Sequence, residues 1–153
     1  MAYSLEALIG PTLGPLAAIN GVPPLTVVAL PHDLGLLPLV PDLLKALGPV
    51  AEAAEVERLE TLPYVKPGVL WLAQKLSAGG KVAYVEAEFF GGVGEQAGAG
   101  WENGQVVFGP LNAQDAINQA LRWLGVAAEA EHDEFDTLGL GRHRFTERWV
   151  RAE

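Results

Sequence analysis

Cysteine is absent, serine occurs only at Ser4 and Ser77, and methionine only at Met1. The first absence rules out a disulfide-stapled scaffold and a thiol nucleophile. Neither serine stands in the Gly-x-Ser-x-Gly setting of a nucleophile elbow, so no catalytic residue is assigned. Histidine is nearly as sparse. His32, His132 and His143 form no i, i+3 or i, i+4 pair that would show two ligands on one helix face, and no metal site is expected. Positive charge is short too, with 10 Lys and Arg against 19 Asp and Glu and a formal net charge of −9. Phosphate-backbone affinity needs clustered cations, so neither nucleic acid nor an anionic membrane surface is expected as a partner, whereas a basic protein suits such a field. No apolar run approaches the roughly 18 residues of a membrane-spanning helix. The opening Met-Ala-Tyr-Ser-Leu-Glu has no basic stretch ahead of an apolar one, which points to a cytoplasmic chain.

What is present is apolar: half of the 153 residues are hydrophobic, enough for one domain to build a core without covalent staples. Ser4 to Ile9 and the β-branched run Leu25 to Leu30 read as buried strands, and Pro31 to Gly35 reads as a turn returning the chain through Leu36 to Val40. Pro41-Asp42 opens a short helix that Gly48-Pro49 is expected to close. Ala51 to Leu62, with Glu52, Glu55, Glu57 and Glu60 among alanines, reads as a solvated helical connection. Val69, Leu72, Ala73 and Leu76 then repeat at helical spacing after Lys66-Pro67-Gly68 and stop at Gly79-Gly80.

The middle of the chain reads as a three-stranded antiparallel meander: Lys81 to Phe90, Gln96 to Trp101 and Gln105 to Phe108. Asn103-Gly104 supplies its second turn, since both central positions of a type I′ turn need positive φ. Asn112 is expected to cap a helix carrying Ile117, Ala120, Leu121 and Leu124 on one stripe, and Phe145 and Trp149, four apart, suggest a last short helix. No repeat or low-complexity linker divides the chain. The expected fold is therefore one α+β domain over residues 1–153, a largely antiparallel sheet with helices packed on one face.

Three clusters are candidates for function. Glu86 and Glu88 emerge on one strand face with Tyr84 and Phe90, roughly 7 Å from each other, while Ala83, Val85, Ala87 and Phe89 form the core side. The plain reading is an outward, solvated strand face; a protein-binding face is a second, and the separation also falls within the about 5 to 9.5 Å of a general acid/base carboxylate pair. Gly91, Gly92 and Gly94 imitate a dinucleotide fingerprint, but Gly98, Gly100 and Asn103-Gly104 follow where a helix would have to start, so a hairpin loop is expected and no cofactor. Arg142, His143 and Arg144 follow Gly139-Leu140-Gly141 as a glycine-bearing turn with a local positive surplus that could meet an anion.

Tyr84 to Gly94, with Gly109-Pro110-Leu111, Asp115 to Asn118 and Leu138 to Arg144, resembles a group of small bacterial proteins from high-GC genomes, and the likeness carries over no catalytic residue. In general type, though not in motif, the chain is also similar to immunity proteins that neutralise bacterial toxins. The leading expectation is a non-enzymatic module binding a basic protein through Glu86, Glu88, Phe90, Glu95 and Trp101. The first alternative is a ligand-binding protein or enzyme at Gly91, Gly92 and Gly94, with Glu86 or Glu88 as base, Arg142 or His143 as charge partner, and Arg144 as a further ligand contact. The second is a homo-oligomer pairing through a sheet edge.

Overall fold

A computed structural model describes residues 2–11, 13, 25–56 and 65–151. Six strands form one sheet: β1 (Ala2–Gly10), β2 (Val28–Leu30), β3 (Leu34–Pro38), β4 (Val82–Phe90), β5 (Val93–Glu102) and β6 (Gln105–Asn112). Their order is β2-β3-β1-β4-β5-β6, and every neighbouring pair is antiparallel. The two central strands, β1 and β4, pair from Ala2 opposite Phe90 to Ile9 opposite Ala83. All three hairpin turns are two residues at positive φ or contain such a pair: His32 and Asp33, Gly91 and Gly92, Asn103 and Gly104. The turn at Asn103-Gly104 is the one read from the sequence. That at Gly91-Gly92 is tighter than the expected loop, because Val93 already re-enters the sheet and Gly94 belongs to β5.

Helices cover both faces of the sheet, not one. α1 (Pro41–Ala53) and α2 (Pro67–Leu76) pack with Leu8, Leu37, Val82, Tyr84, Ala99 and Trp101 in one core. α3 (Ala116–Trp123), α4 (Glu134–Thr137) and α5 (Thr146–Arg151) lie over Leu5, Ala7, Ile9, Ala83 and Val85 in a second. The physical reason is β4 itself: Val82, Ala83, Tyr84 and Val85 are all buried, so this stretch is apolar on both sides and needs a layer on each. Among the described residues, no helix is long and apolar enough to cross a membrane.

Two helix boundaries depart from the sequence reading. α1 runs through Gly48-Pro49 because the proline falls on its solvent side. The backbone bond that Pro49 cannot donate would have gone to exposed Lys45, while Leu47 and Ala51 stay buried on either side. Leu47 sits directly over Gly68 of α2, where a β-carbon would come within 2.6 Å of its own, so tertiary packing holds the helix past its local stop signal. Glu55, at φ 56°, ends it, and the remainder of the expected acidic helix, 57–62, lies outside the described residues. α3 starts at Ala116 and not after Asn112, because 109–112 extend β6 against Gly98 and Ala97. Its free N-terminal donor at Ile117 is met from the sheet, by Gln96 Oε1 at 3.0 Å.

The glycines of β5 explain how closely α3 approaches. Ala97, Ala99 and Trp101 face the α1–α2 core, so Gly98 and Gly100 face α3, and a β-carbon on Gly100 would lie 2.6 Å from the Trp123 ring. Trp123 is fixed there by stacking on Phe108, with centroids 5.8 Å apart, and by Lys81, whose ammonium lies 4.9 Å from its ring and donates to its carbonyl. At the outer edge, β6 carries Pro110 and pairs with β5 through register shifts, and the opposite edge strand, β2, is three residues long. Both devices discourage edge-to-edge pairing of sheets. Gly100→Ala should destabilise the fold by about 1–3 kcal/mol through overpacking, and in a Trp123→Leu background that loss should shrink. Equal losses in both backgrounds, measured by urea unfolding, would show that the ring is not what the strand makes room for.

Candidate functional site

The apolar lining beneath α1 and α2 stops at Tyr84, and carboxylates take over along the same face. Glu86, Glu88 and Phe90 follow Tyr84 at alternate positions of β4, so all four share a side of the sheet. Register then brings more acid to the same side: Glu6 of β1 stands directly opposite Glu86, and Glu95 of β5 directly opposite Glu88. Beyond them, at the hairpin tip, Phe90 faces Val93, and these side chains are 79% and 78% exposed. The result is a continuous strip running from half-buried Glu6 and Glu86, through exposed Glu88 and Glu95, to an uncovered apolar pair.

Directly opposed like charges oppose sheet formation, with β-carbons only about 4.5–5.5 Å apart. The inner pair is partly relieved by Tyr84. Its hydroxyl lies 2.7 Å from Glu86 Oε2 and 2.9 Å from Glu6 Oε2. A phenol has one proton to donate, so both contacts are hydrogen bonds only when one carboxyl brings a proton of its own. Burial raises the pKa of Glu6 above the ordinary value of 4.5; the Tyr84 bond opposes this, the Glu86 charge adds to it, and Lys66 opposes it. As pH falls, Glu6 therefore takes up a proton earlier than a free carboxyl would, which relieves its opposition to Glu86. Burial, with the charges of Glu6 and Glu86, also raises the Tyr84 pKa far above the usual phenol range, so its hydroxyl remains a donor. The outer pair, Glu88 and Glu95, has no described hydrogen-bond or ion-pair partner in the fold.

Not every expected residue lies here. Trp101 is only 1% exposed and belongs to the core under α1 and α2, so it cannot touch a partner; its place in the alternation, in line with Ala97 and Ala99, puts it under the helices once that face is covered. Gly91 and Gly92 form the exposed turn beside Phe90, where the backbone takes the positive φ that glycine permits. Arg142 and His143 pack on the ring of Trp149, at 5.2 and 4.8 Å, and Trp149 belongs to the core on the α3 side. Glu86 projects from the other face, so the pairing of Glu86 with His143 or Arg142 is not formed. Arg144 lends its carbonyl to Ser4 N–H at 2.7 Å, which fastens the C-terminal segment along β1 beside Phe145.

Sequence reasoning missed Glu6, Tyr84 as a bridge, and Val93. The first two need the β1–β4 register, which no local pattern sets, while Val93 was hidden by reading the glycine-rich stretch as loop. Chemically the strip offers negative charge, hydrogen-bond acceptors and an aromatic anchor. Among the described residues, no group of three or more His, Asp or Glu is arranged to hold a metal ion.

The raised Glu6 pKa fixes a sign for pH dependence. The folded chain holds this proton more tightly than the unfolded chain, so the contribution of Glu6 to stability is fully present below pH 4.5 and is lost as pH rises through the folded value. Glu6→Gln keeps the shape without the charge. The variant should gain on the wild type toward neutral pH, the difference fading in acid, as read from urea midpoints across the range; a gap independent of pH would contradict the assignment.

No family model, curated protein or solved structure matches the chain, so the reading of this site rests on its geometry.

Proposed function

We propose that the chain is a non-enzymatic binding module for a basic protein, engaged through the acidic strip of β1, β4 and β5 and the hairpin tip beside it, in the manner of immunity proteins that neutralise toxins. The observation that carries this reading is the pairing of Glu88 with Glu95 across the sheet, next to Phe90 and Val93. Two carboxylates in direct opposition weaken the sheet, and two exposed apolar side chains add nothing to its core. Both features become favourable when a surface bearing Lys or Arg settles on them: the opposed charges are neutralised, and an aromatic side chain at the edge of the charged zone is buried. The overall charge of −9 acts in the same direction at longer range, speeding the encounter with a cationic partner.

Charge reversal at the exposed pair is the appropriate test, since Glu86 is tied to Tyr84 and Lys there would strain the core. The tagged wild type should retain from its native lysate a stoichiometric basic protein that high salt releases. Glu88→Lys combined with Glu95→Lys should lose it while melting no earlier than the wild type, because the repulsion between the two positions is merely exchanged for another. Phe90→Ser should weaken capture by about 1–3 kcal/mol, equivalent to roughly fivefold to a little over a hundredfold. Capture of the same protein by the doubly reversed variant, or capture of none by the wild type, would refute the proposal.

A further inference from the structure

The opposite face of the same hairpin holds a cavity of about 290 Å³ between the sheet and the start of α3 and α4. Ala87 and Phe89, which alternate with Glu86 and Glu88, line it, so it lies across the sheet from the acidic strip and is independent of that reading. Its walls are aromatic: Tyr3 and Phe135 meet edge to face at 5.6 Å, with Phe89 beside them. Its volume, at the low end of small-molecule pockets, about 300 Å³, suits a single substituted ring and not a nucleotide.

The polar groups around it are held in place by other bonds and retain unused capacity of a definite kind. Gln96 accepts from Ile117 N–H through Oε1, and its Nε2 has no acceptor among the described residues. Asn118 accepts from Phe135 N–H and donates one of its two amide hydrogens to Asp133 Oδ2 at 3.0 Å. Asp133 accepts from Asp136 N–H at 2.8 Å, and each of its oxygens has a further lone pair. Burial alone would raise the Asp133 pKa, but the bonds from Asp136 and Asn118 outweigh it and lower the value, so the group is a carboxylate at neutral pH. Spare amide donors therefore stand beside a spare anionic acceptor, next to a space walled by the rings of Tyr3, Phe89 and Phe135. The Tyr3 hydroxyl is already used by Leu140 O at 2.9 Å and adds no donor.

We propose that this cavity is a binding site for a small planar aromatic amide or a cationic relative of one, its ring among Tyr3, Phe89 and Phe135 and its polar group between Gln96, Asn118 and Asp133. An amide matches both capacities at once, its carbonyl accepting from Gln96 or Asn118 and its N–H donating to Asp133. An amidinium uses the Asp133 carboxylate, whereas a carboxylate ligand is repelled by it.

Three probes with the same ring and different charge separate these cases: benzamide, benzamidine and benzoate, titrated into the full-length, isotope-labelled chain and followed through backbone amide shifts. Benzamide and benzamidine should produce saturable shifts at Ile117, Asn118, Phe135 and Gly141 in a roughly millimolar range, as fragments of this size do. Benzoate should bind at least about tenfold more weakly than benzamidine. Asp133→Asn keeps an acceptor for the Asp136 N–H and should erase that preference without unfolding the chain. Ala87→Met, which fills the cavity from the sheet, should abolish the shifts for every probe. Absence of clustered shifts in the wild type, equal binding of benzoate, or unchanged preference in Asp133→Asn would each overturn the proposal. None of these outcomes bears on the acidic strip.

Discussion

The hydroxyl of Tyr84, held between the carboxylates of Glu6 and Glu86, marks the line on which the molecule is divided. On one side of it the sheet face is core, sealed by α1 and α2; on the other the same face is acid. A tyrosine suits that boundary because its ring contributes apolar area while its one polar atom needs a partner once buried. The partner is supplied by a cross-strand acid pair that would otherwise repel itself, so the boundary also makes the acidic strip tolerable to the fold. Moving the boundary by two residues in either direction would bury Glu86 without a donor or leave the Tyr84 ring uncovered.

From that division the two faces of the central hairpin acquire different chemistries with no change of backbone. Side chains at even positions of β4 lead from the core out to Glu88 and Phe90, while those at odd positions lead to the aromatic cavity beside α3. The glycines at 98 and 100 then draw α3 close to β5, and Gln96 completes the helix N-terminus from the strand. The same hairpin thus carries an exposed charged surface and forms one wall of a small half-open pocket, held by two separate cores.

Local patterns in the sequence showed the antiparallel meander, the Asn103-Gly104 turn, the stripe of α3 and the acidic positions 86, 88 and 95, since each depends on neighbours within a few residues. Features set by distant segments were not legible. The second helical layer follows from β4 being apolar on both faces, which a reading of alternate positions from Glu86 onward obscures. α1 outlasts Gly48-Pro49 because Leu47 packs on Gly68, and Asn112 is drawn into β6 by Ala97. Trp101 looked like an anchor until its face was covered. Glu6, which precedes Glu86 by 80 residues in sequence, joins the strip only through strand register.

The central claim is that the acidic strip and its hairpin tip form the contact surface for a basic protein. Amide hydrogen exchange, compared between the free chain and its complex with the captured partner, tests this most directly because it locates the contact without altering a charge. Added protection should concentrate at 86–96 and at 3–6 on β1, with β6 and α3 unchanged. Protection confined to β6, or to the helices of the opposite face, would contradict the account.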